Sequence, residues 1–187
     1  MTERSCRFGP TPNRMTRRTV NTENSEPAAR GNRLEIPWDL SEWADRPTLL
    51  RWIVADIDTL DWGNAELVEF LRTHPDYRPK LLLQLLTYAY ATSAFESSDV
   101  ESLYNSDPTF RSLDWDQPLK LTSIRRFRRE NRGLFKWTLF QVLQKAIRTR
   151  FDVGERLLPA GLKRYLVENA IERLDLARLM DGAAADR

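Results

Sequence analysis

The sequence contains one cysteine, Cys6, and one histidine, His74, and these counts exclude several classes of site. One cysteine cannot form an intramolecular disulfide, and one histidine with one cysteine cannot build a zinc site of several such ligands. His74 lies in the turn-like stretch THPDYRP, so neither a Ser-His-Asp nor a Cys-His catalytic arrangement is expected. We therefore expect no bound metal and no catalytic residues of these kinds.

Glycine and long apolar runs are also scarce. The seven glycines form no phosphate-binding loop, and we expect no cofactor. The most apolar stretch, LLLQLLTYAYATSAF, is shorter than the ~20 residues needed to cross a bilayer. The polar N-terminus has no apolar core typical of a secretion signal. These absences predict a cytoplasmic protein with no membrane partner.

No stretch shows the alternation of a strand, and no two runs are joined by a hairpin turn. Helix signals follow one another instead, so the sequence predicts an all-α fold, a compact multi-helix bundle. Asp45 with Pro47, Asn64 ahead of AELVEFLR, and Thr122 ahead of SIRRFRREN are expected to cap helices. Pro79 is expected to begin a core helix over 79–94, and Asp107 with Pro108 a short one. Ser97 or Ser98 is expected to cap a further helix, with Glu101 in a capping box. A long helix after Gly133 and a last helix over 161–180 complete the set.

The chain divides into three predicted segments. Residues 1–33 are rich in Thr, Asn, Pro and Arg, and are interpreted as a disordered basic arm or an over-extended start. Residues 34–150 are predicted to form the main helical domain, and residues 151–187 a C-terminal helical extension.

Positive charge is concentrated in one segment. The formal net charge is only +2, but residues 120–150 hold ten Lys or Arg and one acid, Glu130, which leaves the rest of the chain at −7. A solvated helix face usually carries charges of both signs. The concentration of one sign is typical of a nucleic-acid site. Of the 29 basic residues 24 are arginines, which suits phosphate binding. A high genomic GC content would also enrich arginine at the expense of lysine, so this composition has two explanations.

The centre of this segment is LTSIRRFRREN, residues 121–131. At 100° per residue, Ile124 and Phe127 lie on one side of a helix and the arginines face the other side or its flanks. The first turn would also offer backbone N–H groups to a phosphate. The candidate DNA-binding residues are Thr122, Arg125, Arg126, Arg128, Arg129, Arg132 and, on the following helix, Lys136.

Helices over 98–106 and 122–132 are expected to form a helix-turn-helix-like pair, with the second as the reading helix. The connection between them is too long for the tight form of this motif, so a looser variant is predicted.

Three quoted segments carry a resemblance to a known family. They are YRPKLLLQLLTYAYATS, SSDVESLYNSDPTFRSL and LTSIRRFRREN, in this order. From about Leu49 to Ile147 the chain resembles the transposase InsH N-terminal domain family, the helical DNA-binding module that precedes the catalytic core of many bacterial insertion-sequence transposases. The resemblance places Thr122, Ile124, Phe127 and Arg128 at signature positions. It implies a bacterial protein that recognises a terminal inverted repeat in double-stranded DNA, with Arg128 either facing DNA or supporting the fold.

The catalytic part of such transposases is not expected in this chain. Those enzymes hold two metal ions with two aspartates and a glutamate on a core that includes strands. Only 55 residues follow Arg132, and their pattern is helical. The Met-Asp-Gly of 180–182 superficially resembles the Asp-Gly that opens the catalytic core, and we interpret it as coincidence. We therefore expect no enzymatic activity.

A protein-interaction module is the alternative hypothesis. The helices from 135 to 180 carry an apolar stripe that would form a homodimer or cap an intact transposase; its members are Phe135, Leu139, Phe140, Val142 and Leu143. Such stripes are more often core.

Overall fold

A computed structural model of the protein describes residues 34–62, 78–111, 120–154 and 158–185. In these ranges the ordered elements are helices and no strand occurs, which confirms the all-α prediction. The α-helices are α1 Arg46–Asp58, α2 Pro79–Ala91, α3 Ser97–Ser106, α4 Pro108–Arg111, α5 Leu121–Glu130, α6 Arg132–Phe151 and α7 Ala160–Ala185. A short 3-10 helix, Leu40–Glu42, precedes α1. The predicted arm over 1–33 and the predicted helix after Asn64 lie outside the described residues.

Helix α2 is the centre of the core, as its sequence predicts. Every side chain from Leu82 to Ala91 is buried, because α1, α3, α6 and α7 all pack against this helix. A helix surrounded in this way must be apolar around most of its circumference. Two of the polar side chains find partners: Thr87 shares a hydrogen bond of 2.9 Å with Thr138, and the hydroxyl of Tyr88 donates to Asp107 at 2.8 Å. The buried Oε1 of Gln84 has no hydrogen-bond partner within the described ranges. Among the described helices, none has the length and apolar character of a membrane span.

Two predicted helix starts are confirmed by their capping bonds. The Asp45 carboxylate accepts from the backbone N–H of Thr48 at 2.9 Å, with Pro47 in the first turn. Asp107 accepts from the backbone N–H of Thr109 at 2.8 Å, just ahead of α4. In both cases an acid satisfies an N–H group of the helix that follows it.

Two other predicted starts are wrong. Helix α3 begins at Ser97 itself without a side-chain cap from Glu96, so the predicted capping box is not formed. Helix α5 begins at Leu121, and its cap position, Lys120, provides no side-chain bond. Thr122 is therefore an exposed residue inside the first turn of α5 and not its cap.

Two helix limits also differ from the prediction. Gly133 lies within α6 and does not precede it. Helix α2 ends at Ala91 and not at residue 94, because Ser93 adopts a left-handed conformation with φ 66° that stops the helix.

A buried arginine connects α7 to the beginning of the described chain. The Arg173 guanidinium donates to the backbone oxygens of Pro37, Trp38 and Tyr90 at 2.5–2.7 Å, and its Nε donates to Asn169 at 3.0 Å. It also lies 5.3 Å from the centre of the Trp38 ring, which is a favourable cation–π position. Burial lowers the pKa of Arg173 to about 10, so the group remains charged at neutral pH.

Helix α7 packs most extensively against α6, and both belong to the compact unit that starts at Ile36. The predicted boundary between a main domain, 34–150, and a C-terminal extension, 151–187, was drawn from the sequence pattern alone. In space, the last helix lies against the helix that ends the predicted main domain.

Candidate nucleic-acid interface

Helix α5 is anchored by its two apolar side chains. Ile124 and Phe127 are fully buried, and the Phe127 ring meets the edge of Phe135 with 5.6 Å between ring centres. The helix packs against α2, α3 and α6, so the predicted helix pair 98–106 and 122–132 is in contact. The expected amphipathic arrangement of α5 is confirmed.

The seven candidate side chains lie in different environments. Thr122, Arg126, Arg129, Arg132 and Lys136 are exposed. Arg125 and Arg128 are partly covered, and the Arg128 side chain retains only 10% of its exposure. These seven residues are close in sequence, but they are therefore not equally accessible and do not form a single exposed surface.

Arg128 is committed to contacts inside the protein. Its Nη1 donates to the hydroxyl of Tyr90 at 3.2 Å, and its Nη2 donates to the carboxylate of Asp181. Burial alone lowers the pKa of Arg128, but pairing with Tyr90 and Asp181 outweighs burial and raises the pKa above its ordinary value. Of the two roles that the resemblance implies for this residue, the geometry favours support of the fold.

Asp181 is the partner that sequence reasoning missed. Its carboxylate accepts from the backbone N–H of Ser97 at 2.8 Å and from the Ser97 hydroxyl at 2.7 Å, in addition to Arg128. One carboxylate thus caps α3 and holds α5. Burial raises the pKa of Asp181, but these hydrogen bonds outweigh burial and hold the pKa below its ordinary value.

A signal for Asp181 was present in the sequence. Leu174, Ala177 and Asp181 follow at steps of three and four, which places them on the same face of a helix, and all three are buried in the structure. A carboxylate on an apolar face needs a charged or hydrogen-bonding partner. The Met-Asp-Gly sequence at 180–182 therefore has a structural explanation.

Two of the exposed arginines form ion pairs at the surface. Arg126 donates to Glu130 at 2.9 Å, and Arg132 donates to Asp175 at 2.7 Å. All four side chains remain substantially exposed to solvent. Pairs of this kind contribute about 0.2–1 kcal/mol, so a phosphate can replace either carboxylate at little cost.

Arg129 and Lys136 are the least constrained candidates. Both are exposed, and neither forms an ion pair with another residue of the described ranges. By contrast Lys145, in the same basic segment, lies 2.6 Å from Asp56. The positive charge of residues 120–150 is therefore only partly available for an external partner.

A cleft of about 460 Å³ lies between α5 and α7, and most of its lining is arginine. The lining residues are Arg125, Arg128, Arg129, Arg132, Leu174, Arg178, Asp181 and Gly182. Arg178 was not among the predicted residues, because it lies on α7, far along the chain from the basic segment. The cleft brings together four of the predicted arginines and one unexpected one.

Arg125 has a notable position in this cleft. Its Nε is buried and has no hydrogen-bond acceptor in the described structure, although it lies 3.4 Å from Asp181. The two groups attract each other as charges without the geometry of a hydrogen bond. The Arg125 side chain therefore lines the cleft while its buried Nε has an ionic contact with Asp181 but no hydrogen bond.

The predicted apolar interaction surface is not exposed. Phe135, Leu139, Val142 and Leu143 are fully buried within the chain, and Phe140 is partly covered. The hypothesis that this stripe binds a second protein is wrong in its choice of surface, because the stripe is core. Whether the chain has a protein partner stays a prediction.

In the described ranges, no group of three or more His, Cys, Asp or Glu is placed to hold a metal ion. No family model matches the chain, and neither the curated proteins nor the solved structures include a match. The transposase resemblance therefore stays a prediction from the three quoted segments.

Proposed function

We propose that the protein is a non-catalytic module that binds double-stranded DNA, with a terminal inverted repeat as its natural site. The observation that carries the proposal is the arrangement of α5, a ten-residue helix that contains four arginines. Its two apolar side chains, Ile124 and Phe127, are buried in the core. The resemblance to transposase N-terminal domains supplies the expected target. A bacterial cytoplasm is the expected compartment.

The contacts separate the candidate residues that are available to DNA phosphates from the one that holds α5 in place. Arg129 and Lys136 are available to phosphates, and Arg126 and Arg132 become available when their surface pairs open. Arg128 fixes the orientation of α5 through Tyr90 and Asp181. Phosphate contacts would supply most of the affinity.

The dimensions of α5 are compatible with reading a major groove. Ten residues of α-helix extend about 15 Å, and the major groove of B-DNA is about 12 Å wide. One or two arginines meeting the O6 and N7 of guanine would provide selectivity. The N-terminus of α3 is a poor candidate for a phosphate, because Asp181 already occupies it.

Selection of bound sequences from random duplex DNA tests this function. We expect one family of sequences to be enriched, and to be enriched more strongly at the higher of two salt concentrations, because salt weakens non-specific phosphate contacts. A pool that remains random at both concentrations would contradict sequence-selective binding.

A cleavage assay tests the non-catalytic part of the proposal. The selected duplex is incubated with the pure protein and Mg²⁺, and we expect no nicked product. Reproducible nicking that increases with protein concentration would show that the chain itself cuts DNA.

A further inference from the structure

The cleft between α5 and α7 differs from the outer surface of α5 in shape and in charge. Five guanidinium groups line it together with one carboxylate, that of Asp181. A volume of about 460 Å³ lies within the range of small-molecule pockets, roughly 300–1,000 Å³, and is far too small to admit a DNA duplex. The cleft is therefore suited to a small anion and not to the body of a DNA helix.

The carboxylates near the cleft leave most of this positive charge unbalanced. Asp181 accepts hydrogen bonds from Ser97 and Arg128 and also lies 3.4 Å from the Nε of Arg125, and Asp175 pairs with Arg132. Arg129 and Arg178 form no ion pair within the described ranges, and the Nε of Arg125 lacks an acceptor. Counting the five arginines against these two acids leaves an excess of three positive charges around one cavity.

We propose that this cleft is a binding site for a small polyphosphate, a ligand with two or more linked phosphate groups. Arginine side chains from two helices line the cavity, and guanidinium groups bind phosphate oxygens through paired, charge-assisted hydrogen bonds. A carboxylate offers acceptors in a single plane and fewer of them. No aromatic ring is among the described lining residues, so the site recognises the phosphates and not a base.

The chemistry assigns separate roles to the arginines. Arg128 stays with Asp181 and forms the fixed back of the site. Arg125, Arg129 and Arg178 provide the donors that the ligand uses, and Arg132 joins them when it leaves Asp175. Arg125, Arg129 and Arg132 are shared with the proposed DNA surface, whereas Arg178 and Gly182 lie on α7 and are not. Variants of these two α7 residues therefore test the polyphosphate site separately from duplex binding.

Calorimetric titration of the full chain with inorganic pyrophosphate tests the proposal. We expect saturable binding of one pyrophosphate per chain, and Arg178→Ala should weaken it by about tenfold or more, because it removes a charged hydrogen-bond donor. Arg126→Ala is the matched control, since Arg126 lies on α5 outside the cleft. That variant should bind pyrophosphate within about twofold of the unchanged protein.

A second pair of variants alters the cleft without removing an arginine. Gly182 lines the cleft, and a Cβ added there meets no atom within 4 Å. Gly182→Asp should therefore fold and should weaken pyrophosphate binding by about tenfold through charge repulsion. Gly182→Ala should fold equally well and bind as the unchanged protein does.

Three results would overturn the proposal. They are the absence of saturable binding, an equal loss of affinity in Arg126→Ala and Arg178→Ala, and binding of citrate as tightly as pyrophosphate. The second would indicate diffuse surface charge, and the third a general anion site. Duplex affinity is measured on the same variants, so that failure of this site and failure of DNA binding are read separately.

Discussion

Arg173 is a fully buried arginine whose hydrogen-bond acceptors are all neutral. Three backbone oxygens, those of Pro37, Trp38 and Tyr90, depend on its guanidinium. A buried charge without a carboxylate is tolerated only when its donors are satisfied. This side chain therefore joins α7 to α2 and to the segment before α1.

Replacement of Arg173 by Met should lower the free energy of unfolding by roughly 3–5 kcal/mol, because one buried and two partly buried carbonyl groups lose their donor. Urea unfolding followed by circular dichroism measures the change. Arg178→Met, on the exposed side of the same helix, should remain within about 0.5 kcal/mol of the unchanged protein. Equal effects of the two substitutions would show that the Arg173 contacts do not stabilise the fold.

Asp181 predicts a dependence of stability on pH. Its pKa in the folded protein lies below the ordinary value of 3.8, so its contribution is complete above pH 4 and is lost as the pH falls through the lowered pKa. Asp181→Asn should lower the free energy of unfolding by about 2 kcal/mol at pH 7, because Arg128 and Ser97 lose a charged acceptor. The loss should shrink below pH 4.

Urea unfolding at several pH values between 2 and 7 measures this dependence. Asp175→Asn is the control, since Asp175 forms an exposed pair with Arg132 and should change stability by less than about 1 kcal/mol. A difference between Asp181→Asn and the unchanged protein that is the same at every pH would contradict the assignment.

At the scale of the helices, the capping interactions show what sequence reasoning can reach. Asp45 and Asp107 cap the helices that directly follow them, and both were predicted correctly. Helix α3 receives its cap from Asp181, 84 residues away in the chain, and was predicted incorrectly. Local signals were sufficient only where the partner was local.

Two glycines near the ends of α6 provide a test of helix geometry. Gly133 lies inside the helix in open space, so Gly133→Ala should raise the free energy of unfolding by about 0.5–1 kcal/mol. Gly154 follows the helix with φ +63°, a conformation that L residues adopt at a cost. Gly154→Ala should therefore lower the free energy of unfolding by about 1 kcal/mol. Thermal unfolding of both variants checks the signs, and a shift in the same direction would contradict these helix limits.

At the scale of the whole molecule, the sequence predicted the fold class and the central position of α2, because both follow from apolar patterning. It also predicted where positive charge is concentrated. The sequence could not predict which arginines remain available to an external partner, because Arg132 and Arg128 are paired with carboxylates 43 and 53 residues away. The cleft depends on Arg178 and was therefore missed for the same reason.

The central claim is that the outer side of α5 contacts DNA phosphates. The most direct measurement is the slope of log affinity against log salt for the selected duplex. Arg129→Ala should weaken binding and reduce the slope by about 0.9, the value for one lost phosphate contact. Arg164→Ala, an exposed position on α7, should leave both unchanged. An unchanged slope and affinity in Arg129→Ala would contradict the account and remove this helix from the site.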